Sequence, residues 1–387
     1  MNVAVVHHLP SGGALRVLAE WLKRTEHGPV TVYTREAHVH AFVGGLPQAT
    51  EVVEVPLHAG GGAADELRRL WTSPADGRRL AARIEAGGHD VVFAWASRLT
   101  QALDVLPALT TPSLFYAPEP LRSAYEPREL IPVPDDWRGA ITRAGVNPIE
   151  LRRRQLDRRY LRGAQRVVTH SAFTRSTLRA TYGVESDVVL LGVDAEDFAP
   201  GTRDGAPYVL AVGALHPLKG HDLVIDAIAA LPRPRPRLVL VGDRGEWAAD
   251  LERRATAGGV ELDLRQGVPF AEVRDLYRRA AVVACGQVRE PFGLVPLEAM
   301  ACRTPVVAVD EGGFRETITD GVTGLLVPRD ASAMAAAIGR ILDDDTLAEA
   351  LSEAGLRDVR DRWTWERTTA GFDALLREQA ATGPRRL

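Results

Sequence analysis

The chain has 387 residues, which is more than one ordinary hydrophobic core holds, so the sequence predicts two domains. Its net charge of −4 argues against a dedicated nucleic-acid-binding protein. The two cysteines, Cys285 and Cys302, supply neither a disulfide framework nor a metal-ligand cluster, and we expect buried, reduced thiols of a cytoplasmic protein. The opening MNVAVVHHLP lacks the basic segment of a signal peptide, and we expect no membrane-spanning helix.

Short apolar strand patterns alternate with helical patterns along the whole chain, which predicts parallel α/β sheets covered by helices. A segment rich in proline and glycine at 200–207 reads as a linker. We therefore predict two Rossmann-like halves, 1–195 and 196–362, followed by a helical segment at 363–387. The predicted strands are 2–6, 30–33, 90–94, 166–169, 208–213, 237–242 and 305–309.

A glycine pair, Gly12-Gly13, follows the first strand pattern and precedes a helix that is expected to begin near Ala14 or Leu15. Without side chains at this turn, a diphosphate or a sugar can approach the backbone and the helix N-terminus closely. The alternative is an ordinary glycine turn of the kind that many strand-to-helix corners need.

Glu290 and Glu298 stand eight positions apart in the stretch E-P-F-G-L-V-P-L-E. A strand-like run at 281–285 precedes them and a helical pattern begins near Leu294, so a glycine turn joins strand and helix. At about 3.6 residues per turn, Glu298 is expected two turns into that helix, on nearly the same face as Glu290. We predict that both carboxylates point at one ligand. The alternative is a capped helix with a solvated glutamate face.

The stretch REPFGLVPLEAMACRTPVVAVDEGGFRETITDGVTGLLVPRD at 289–330 resembles the donor-binding core of the family 4 retaining glycosyltransferases. Four further segments resemble the same family in the same order: SGGA at 11–14, HSAFTRSTLRATYGV at 170–184, LLGVDAEDFAP at 190–200 and VGALHPLKGHDLVIDAIAAL at 212–231. The resemblance implies the GT-B fold, with two doubly wound parallel-sheet domains facing across a cleft. It also implies that the helix within 363–387 crosses back to the N-terminal domain.

The implied reaction is retaining transfer of a hexosyl group from a UDP- or GDP-linked sugar to a saccharide, a lipid-linked acceptor or a small molecule. The family is thought to use neither a metal nor another cofactor, and no enzymic nucleophile. The resemblance assigns Lys219 to the donor diphosphate and Glu290 to the transferred hexose, as the catalytic residues, and Glu298 to the ribose hydroxyls. The other implied donor contacts are Gly12, Gly13, Arg244, Val268, Phe292, Gly293 and Leu294.

The chain departs from the family pattern at two positions. Ala214 stands where an arginine usually follows the glycine, and His216 or Arg244 is the proposed substitute for that charge. Pro118 stands where the family carries a histidine at the reaction centre. Glu119 and Arg122 remain beside it as predicted acceptor contacts, and a surface ion pair is the alternative for them.

Two charged segments have a structural and a functional interpretation. Segment 151–179 holds nine arginines against one acid, Asp157, which reads as a solvated helix face or as a weak peripheral contact with anionic lipid at the inner membrane. The run 343–345 consists of three aspartates between two helical patterns, which favours helix capping over a metal site. We therefore predict no metal site.

Two other functions are compatible with parts of the pattern, and a third is disfavoured. An epimerase or a phosphorylase acting on related substrates would use the same fold. A non-catalytic protein that binds a nucleotide sugar would explain Ala214 and Pro118. A nicotinamide dehydrogenase is disfavoured, because no G-x-G-x-x-G follows a strand.

Overall fold

Two fully parallel sheets organise the chain, which confirms the α/β fold predicted from the alternating patterns. A computed structural model describes residues 1–9, 12–47, 50–55, 63–125, 148–202, 205–243, 245 and 247–385. Contacts between residues divide the chain into a first unit, Met1–Leu190 with Trp365–Leu387, and a second unit, Leu191–Thr364.

The first unit contains a seven-stranded sheet in the order β3-β2-β1-β4-β5-β6-β7. Its strands are β1 Val3–His8, β2 Val30–Thr34, β3 Thr50–Glu54, β4 Val91–Ser97, β5 Ser113–Tyr116, β6 Arg166–Thr169 and β7 Asp187–Val188. Its helices are α1 Gly13–Arg24, α2 Ala63–Glu85, α3 Arg122–Tyr125, α4 Pro148–Arg162 and α5 Ala172–Tyr182, with 3₁₀ turns at Ala37–Val43 and Leu106–Ala108.

The second unit contains a six-stranded sheet in the order β10-β9-β8-β11-β12-β13. Its strands are β8 Tyr208–Val212, β9 Arg237–Gly242, β10 Leu262–Gln266, β11 Val282–Cys285, β12 Val306–Val309 and β13 Leu325–Val327. Its helices are α6 His221–Ala230, α7 Ala248–Gly258, α8 Phe270–Arg279, α9 Leu294–Ala301, α10 Phe314–Thr317, α11 Ala331–Asp343 and α12 Asp345–Arg362, with a 3₁₀ turn at Pro217–Lys219.

The central strands of each sheet are mostly apolar because helices cover both sheet faces, although β1 ends in His7 and His8. In the first unit β1 is buried at every position, and in the second unit β11 and β12 are buried likewise. The order of the strands reverses between β1 and β4 in one sheet and between β8 and β11 in the other. At such a reversal the loops leave the sheet in opposite directions, and the carboxyl ends of the strands frame a crevice that binds ligands.

The C-terminal helix, Trp365–Ala380, belongs to the first unit. Phe372 is buried there, with its ring centroid 5.4 Å from that of Phe93. The buried carboxylate of Asp373 accepts hydrogen bonds from the indole N–H of Trp21 at 2.8 Å and from the hydroxyl of Thr25 at 2.9 Å. The helix therefore completes the first unit through both an apolar and a charge-assisted contact with α1 and the sheet.

Among the described residues, no helix is both long enough and apolar enough to cross a lipid bilayer.

Replacing Asp373 with alanine is expected to destabilise the first unit by about 2 to 3 kcal/mol, because the buried indole N–H of Trp21 loses its acceptor. The control is Glu366→Ala on the same helix, whose side chain is 74% exposed and pairs with Arg24. It should change stability by less than about 0.5 kcal/mol. Urea unfolding followed by tryptophan fluorescence measures both, and equal losses would contradict the assigned role of Asp373.

Candidate functional site

Two loops meet at the strand-order reversal of the second unit, one after β8 and one after β11. They approach so closely that a Cβ atom on Gly220 would lie 1.8 Å from the carbonyl oxygen of Gly286. A Cβ on Gly286 would lie 2.3 Å from the carbonyl oxygen of Gly220. The backbone N–H of Val288 also donates to the carbonyl of Leu218 at 2.9 Å. Both glycines are therefore needed for the two backbones to touch.

This backbone contact places Lys219 beside Glu290. The ammonium Nζ of Lys219 lies 3.0 Å from Oε2 of Glu290. The two side chains are 32% and 19% exposed, so the ion pair is partly shielded but reachable from solvent. The structure thus brings together the two residues that the sequence predicts as catalytic. That one ligand contacts both of them stays a prediction.

The loop that carries Glu290 is held by a second ion pair, Glu311–Arg329. The Arg329 guanidinium donates to the carbonyls of Gly286 at 2.8 Å and Gln287 at 2.7 Å, and to Glu311 at 2.7 Å. The same Glu311 accepts from the backbone N–H of Arg289 at 3.2 Å. Although burial raises the pKa of Glu311, the hydrogen bonds and charge of Arg329 lower it below its usual value.

The segment after β12 approaches this loop through another glycine pair. A Cβ on Gly312 would lie 2.4 Å from the Glu290 carbonyl oxygen, and one on Gly313 would lie 2.5 Å from the Phe292 Cα. The N–H of Gly313 donates to the Glu290 carbonyl at 2.7 Å. Sequence reasoning did not select Glu311, Gly312 and Gly313, or Arg329. The signal available was the E-G-G turn directly after a buried strand.

Glu298 occupies a more buried position than Glu290. Helix α9 begins at Leu294, after Gly293 adopts a φ of 110°, so Glu298 is its fifth residue. It therefore lies about one turn into the helix. The predicted helix start near Leu294 is right, but the predicted two turns are wrong, because Glu298 lies only four positions after Leu294. Only 5% of Glu298 is exposed, and its Oε2 accepts from the hydroxyl of the buried Tyr277 at 2.8 Å.

Both carboxylates act on the thiol of Cys285, the last residue of β11. Burial raises the pKa of this thiol, Glu290 and Glu298 raise it further, and Lys219 opposes them. Cys285 and Cys302 are both buried and unpaired with each other, as the sequence predicts. That both carboxylates contact one ligand stays a prediction.

The turn that contains Ala214 is held by a buried histidine, His221. The imidazole Nε2 of His221 lies 3.2 Å from the carbonyl oxygens of both Gly213 and Ala214, so it donates to this turn. Burial lowers the pKa of His221 to about 4, which keeps the ring neutral. His216, proposed as a substitute cation, accepts from the N–H of Leu218 at 3.2 Å and caps the 3₁₀ turn instead. The other proposed substitute, Arg244, lies outside the described residues.

The remaining predicted contacts lie at turns. Gly12 has a φ of 149° at the start of α1, and a Cβ there would meet nothing within 4 Å, so conformation rather than crowding favours glycine. Val268 is half-buried between β10 and α8. Phe292 is buried with its ring edge-on to Trp363 at 5.7 Å. In the first unit, Arg122 lies 3.9 Å from Glu119, so these two predicted acceptor residues form an ion pair.

The aspartate run at 343–345 caps a helix. Oδ1 of Asp344 accepts from the N–H of Leu347 at 3.0 Å, at the N-terminus of α12. Within the part of the chain that the structure describes, no three histidine, cysteine, aspartate or glutamate side chains are grouped as metal ligands.

Residues 193–358 match the model of the family "Glycosyl transferases group 1", which spans nearly all of the second unit, Leu191–Thr364. The second unit therefore resembles the group 1 glycosyltransferases in sequence. Curated relatives extend the likeness. A D-inositol 3-phosphate glycosyltransferase from Acidothermus cellulolyticus is 35% identical over 56% of this chain and 54% of its own length. A GDP-mannose-dependent mannosyltransferase of a phosphatidylinositol monomannoside, from Mycolicibacterium smegmatis, is 34% identical over 53% of this chain and 60% of its own. The chain thus spans little more than half the length of these relatives.

Solved structures extend the likeness in fold to the whole chain. A sucrose-phosphate synthase from Thermosynechococcus elongatus covers 99% of this chain at 22% identity, with a TM-score of 0.76. The Anabaena protein HepE, solved with UDP and glucose, covers 98% at 19% identity, with a TM-score of 0.69. WaaG, a glycosyltransferase of lipopolysaccharide biosynthesis, covers 97% with a TM-score of 0.71. The chain therefore has the GT-B fold, in which both units are Rossmann-like, as predicted.

The fold of the second unit depends on the contact between Gly220 and Gly286, and a pair of glycine substitutions tests this. Gly220 and Gly321 have φ values of 62° and 71°, but only Gly220 would clash, since a Cβ on Gly321 meets nothing within 4 Å. Gly321→Ala is expected to cost about 1 kcal/mol for the backbone conformation alone. Gly220→Ala is expected to cost about 2 to 3 kcal/mol more. Equal costs in thermal or urea unfolding would show that the two loops do not touch.

Proposed function

We propose that this chain is a retaining glycosyltransferase that moves a hexosyl group from a UDP- or GDP-linked sugar to a saccharide, lipid-linked or small-molecule acceptor. The observation that supports this most directly is the Lys219–Glu290 ion pair of 3.0 Å, at the strand-order reversal of a unit that resembles the group 1 glycosyltransferases. The pair offers a cation to a diphosphate and a carboxylate to a sugar hydroxyl at one solvent-reached position. The name of the M. smegmatis relative, which specifies GDP-mannose, keeps a guanosine donor in this proposal.

In the proposed reaction, Lys219 binds the diphosphate and offsets the negative charge that grows on it as the glycosidic bond breaks. Glu290 accepts a hydrogen bond from the transferred hexose and so fixes its orientation. The first turn of α9 begins four residues after Glu290 and presents N–H groups that have no acceptor within the helix. These groups and the partial positive charge of the helix N-terminus add to the charge of Lys219. The remaining predicted donor contacts, Gly12, Gly13, Arg244 and Val268, stay part of the proposal.

Glu298 is proposed to accept hydrogen bonds from the ribose hydroxyls. The hydroxyl of Tyr277 donates to its Oε2 at 2.8 Å, and this supports a fixed carboxylate orientation before any donor binds. A carboxylate that is 5% exposed loses little further hydration on binding, so its hydrogen bonds to a diol are favoured.

The acceptor hydroxyl is proposed to attack the sugar on the face that the nucleotide leaves, and its proton passes to the leaving phosphate oxygen. The protein then supplies position and charge rather than a nucleophile. A metal is not needed in this scheme, because Lys219 and the α9 N-terminus offset the diphosphate charge. Glu119 and Arg122 remain the proposed acceptor contacts of the first unit.

A non-catalytic protein that binds a nucleotide sugar is the second candidate. Ala214 and Pro118 favour it, because they remove an arginine and a histidine that the resemblance leads one to expect. An epimerase or a phosphorylase on the same fold is the third. For a phosphorylase, Lys219 would have to hold the cofactor, since the chain's other lysine is Lys23 in the first unit.

Amine labelling tests the donor assignment, because Lys219 and Lys23 are the two lysines of the chain. Bound UDP- or GDP-sugar is expected to slow acylation of Lys219 by about tenfold, since the diphosphate occupies the ammonium. Lys23, which is 50% exposed on α1, is the internal control and should react at an unchanged rate. Mass spectrometry of the labelled peptides measures both. If Lys219 reacts equally fast with and without every nucleotide sugar, the donor site is elsewhere.

Calorimetry against UDP- and GDP-sugars tests the role of Glu298. Glu298→Gln is expected to weaken nucleotide-sugar binding by about tenfold or more, because a charge-assisted hydrogen bond is lost. Glu252→Gln, at an exposed position of α7, is the matched control and should bind like the unaltered protein. Unchanged affinity in Glu298→Gln would remove Glu298 from the donor site.

The same preparations separate an enzyme from a binding protein. Slow release of nucleotide without an acceptor, undiminished by excess chelator, is expected of the proposed transferase. The sugar product should keep the anomeric configuration of the donor, as read by proton NMR immediately after release. Binding without turnover in an acceptor screen would favour the non-catalytic candidate, and an inverted product would reject the retaining mechanism.

A further inference from the structure

Arg289 has a backbone conformation that residues other than glycine rarely adopt. Among the described residues, Arg289 and Arg303 are the non-glycine residues with positive φ, at 47° and 60°. Arg303 directly follows the C-terminal cap of α9, where chains commonly enter the left-handed region. Arg289 lies instead in the loop between β11 and α9, directly before Glu290. Its conformation is strained for a residue with a Cβ atom, so contacts with other segments must maintain it.

The E-G-G turn after β12 supplies two of these contacts. Oε2 of Glu311 accepts a hydrogen bond from the backbone N–H of Arg289 at 3.2 Å. The N–H of Gly313 donates to the carbonyl of Glu290 at 2.7 Å, and a Cβ on Gly312 would lie 2.4 Å from that carbonyl oxygen. The turn therefore fixes both ends of the dipeptide Arg289–Glu290. It thereby sets the direction in which the Glu290 side chain leaves the backbone.

Arg329, two residues after β13, holds the beginning of the same loop. Its Nη1 donates to the carbonyl of Gly286 at 2.8 Å, and its Nη2 donates to the carbonyl of Gln287 at 2.7 Å. Its Nε and Nη2 donate to the two carboxylate oxygens of Glu311 at 2.8 and 2.7 Å. The Arg329 and Glu311 side chains are each 28% exposed, so this bidentate pair is partly shielded from solvent. One guanidinium thus joins the beginning of the loop to the carboxylate that holds Arg289.

The carbonyl of Gly286 also connects Arg329 to the segment that carries Lys219. This carbonyl is the group that Gly220, the residue after Lys219, can approach only without a Cβ atom. Arg329 therefore fixes the loop at the point where it meets the Lys219 segment. Through Glu311, it fixes the loop again at the point where it carries Glu290. The 3.0 Å between Nζ of Lys219 and Oε2 of Glu290 depends on both points.

We propose that Arg329 is a positioning residue of the donor site, and that it acts through Glu311 to hold Arg289 in the left-handed conformation that sets Glu290 beside Lys219. Without Arg329, Arg289 relaxes towards negative φ, and Glu290 moves away from the ammonium. A role in donor binding rests on the proposed glycosyl transfer. The effect of Arg329 on the Lys219–Glu290 pair does not, and it can be measured without a donor.

Acylation of Lys219 in the full chain, without any nucleotide, measures this pair. Arg329→Gln is expected to speed the reaction by about fivefold, because the ammonium loses the carboxylate that occupies it. Glu290→Gln gives the upper limit, which is the rate with that carboxylate removed. Lys23, on α1 in the first unit, is the internal reference in every sample. Mass spectrometry of the labelled peptides gives both rates.

Two control variants distinguish this role from the loss of any nearby arginine. Arg315→Gln removes a 61% exposed arginine on α10, which pairs with Asp310 rather than with the loop carbonyls. It should leave the acylation rate of Lys219 unchanged. Glu311→Gln keeps the bonds from Arg329 to the loop carbonyls and removes only the charge that holds Arg289. It should speed acylation by about twofold, and it replaces Arg329→Gln if that variant does not fold.

Substitution of Arg289 distinguishes positioning from a general loss of stability. Glycine adopts the left-handed conformation without steric cost, so Arg289→Gly added to Arg329→Gln should restore most of the slow acylation. Arg303→Gly removes the same kind of backbone strain outside the loop. Added to Arg329→Gln, it should leave acylation fast. A role in overall stability alone would give equal rescue by both glycine variants or rescue by neither.

Unchanged acylation of Lys219 in Arg329→Gln and Glu311→Gln, or equal effects of the two glycine variants, would overturn the inference. Nucleotide-sugar affinity measured in the same preparations should fall about fivefold in Arg329→Gln and recover with Arg289→Gly. If the unaltered chain binds no nucleotide sugar while the acylation rates differ as expected, the positioning role stands and the proposed transfer fails. Normal nucleotide-sugar binding with unchanged acylation rates would reject the positioning role and leave the transfer in place.

Discussion

The close backbone contact between Gly220 and Gly286 is the constraint on which the site of the second unit depends. It joins the loops that leave the sheet on either side of the strand-order reversal. Lys219 and Glu290 lie 71 residues apart in sequence, and this contact sets their side chains 3.0 Å apart. A side chain at either glycine would separate the loops and with them the ion pair. The Lys219–Glu290 ion pair therefore requires that neither of these two positions carries a Cβ atom.

The two units use the same strand order in different ways. In the second unit, paired glycines bring the backbones together and set the Lys219–Glu290 ion pair at the reversal. In the first unit, arginine and histidine side chains line a small cavity at the equivalent place. Lys219 stands out in a chain that has only two lysines among its 47 basic residues. The ammonium of a lysine is a compact charge on a flexible side chain, whereas the guanidinium of an arginine is planar and larger. An arginine at position 219 would therefore not reproduce the contact that Lys219 makes with Glu290.

Much of the fold could be predicted from the sequence because buried parallel strands are continuous apolar runs, and the glycine turns mark their ends. Residues within one turn, such as Glu290 and Gly293, were predictable for the same reason. Contacts between distant segments were not. Tyr277 donates to Glu298 from another helix, and Arg329 reaches Gly286 across 43 residues. Such pairs follow from the strand order, which a single sequence does not display.

The departure at Ala214 changes the charge balance rather than the framework. The turn that contains Ala214 is held by the neutral His221, so its backbone keeps its shape without an arginine. Lys219 and Glu290 form a pair with no net charge, and a diphosphate therefore meets little excess positive charge from the turn after β8. The N-terminus of α9 must then contribute a larger share of the attraction than it would beside an arginine. The partial positive charge at the helix N-terminus is fixed in the backbone, so it need not move as negative charge grows on the phosphate. A flexible arginine side chain would have to reorient. In the proposed reaction, an alanine in place of the arginine is then expected to weaken donor binding more than it weakens stabilisation of the leaving group.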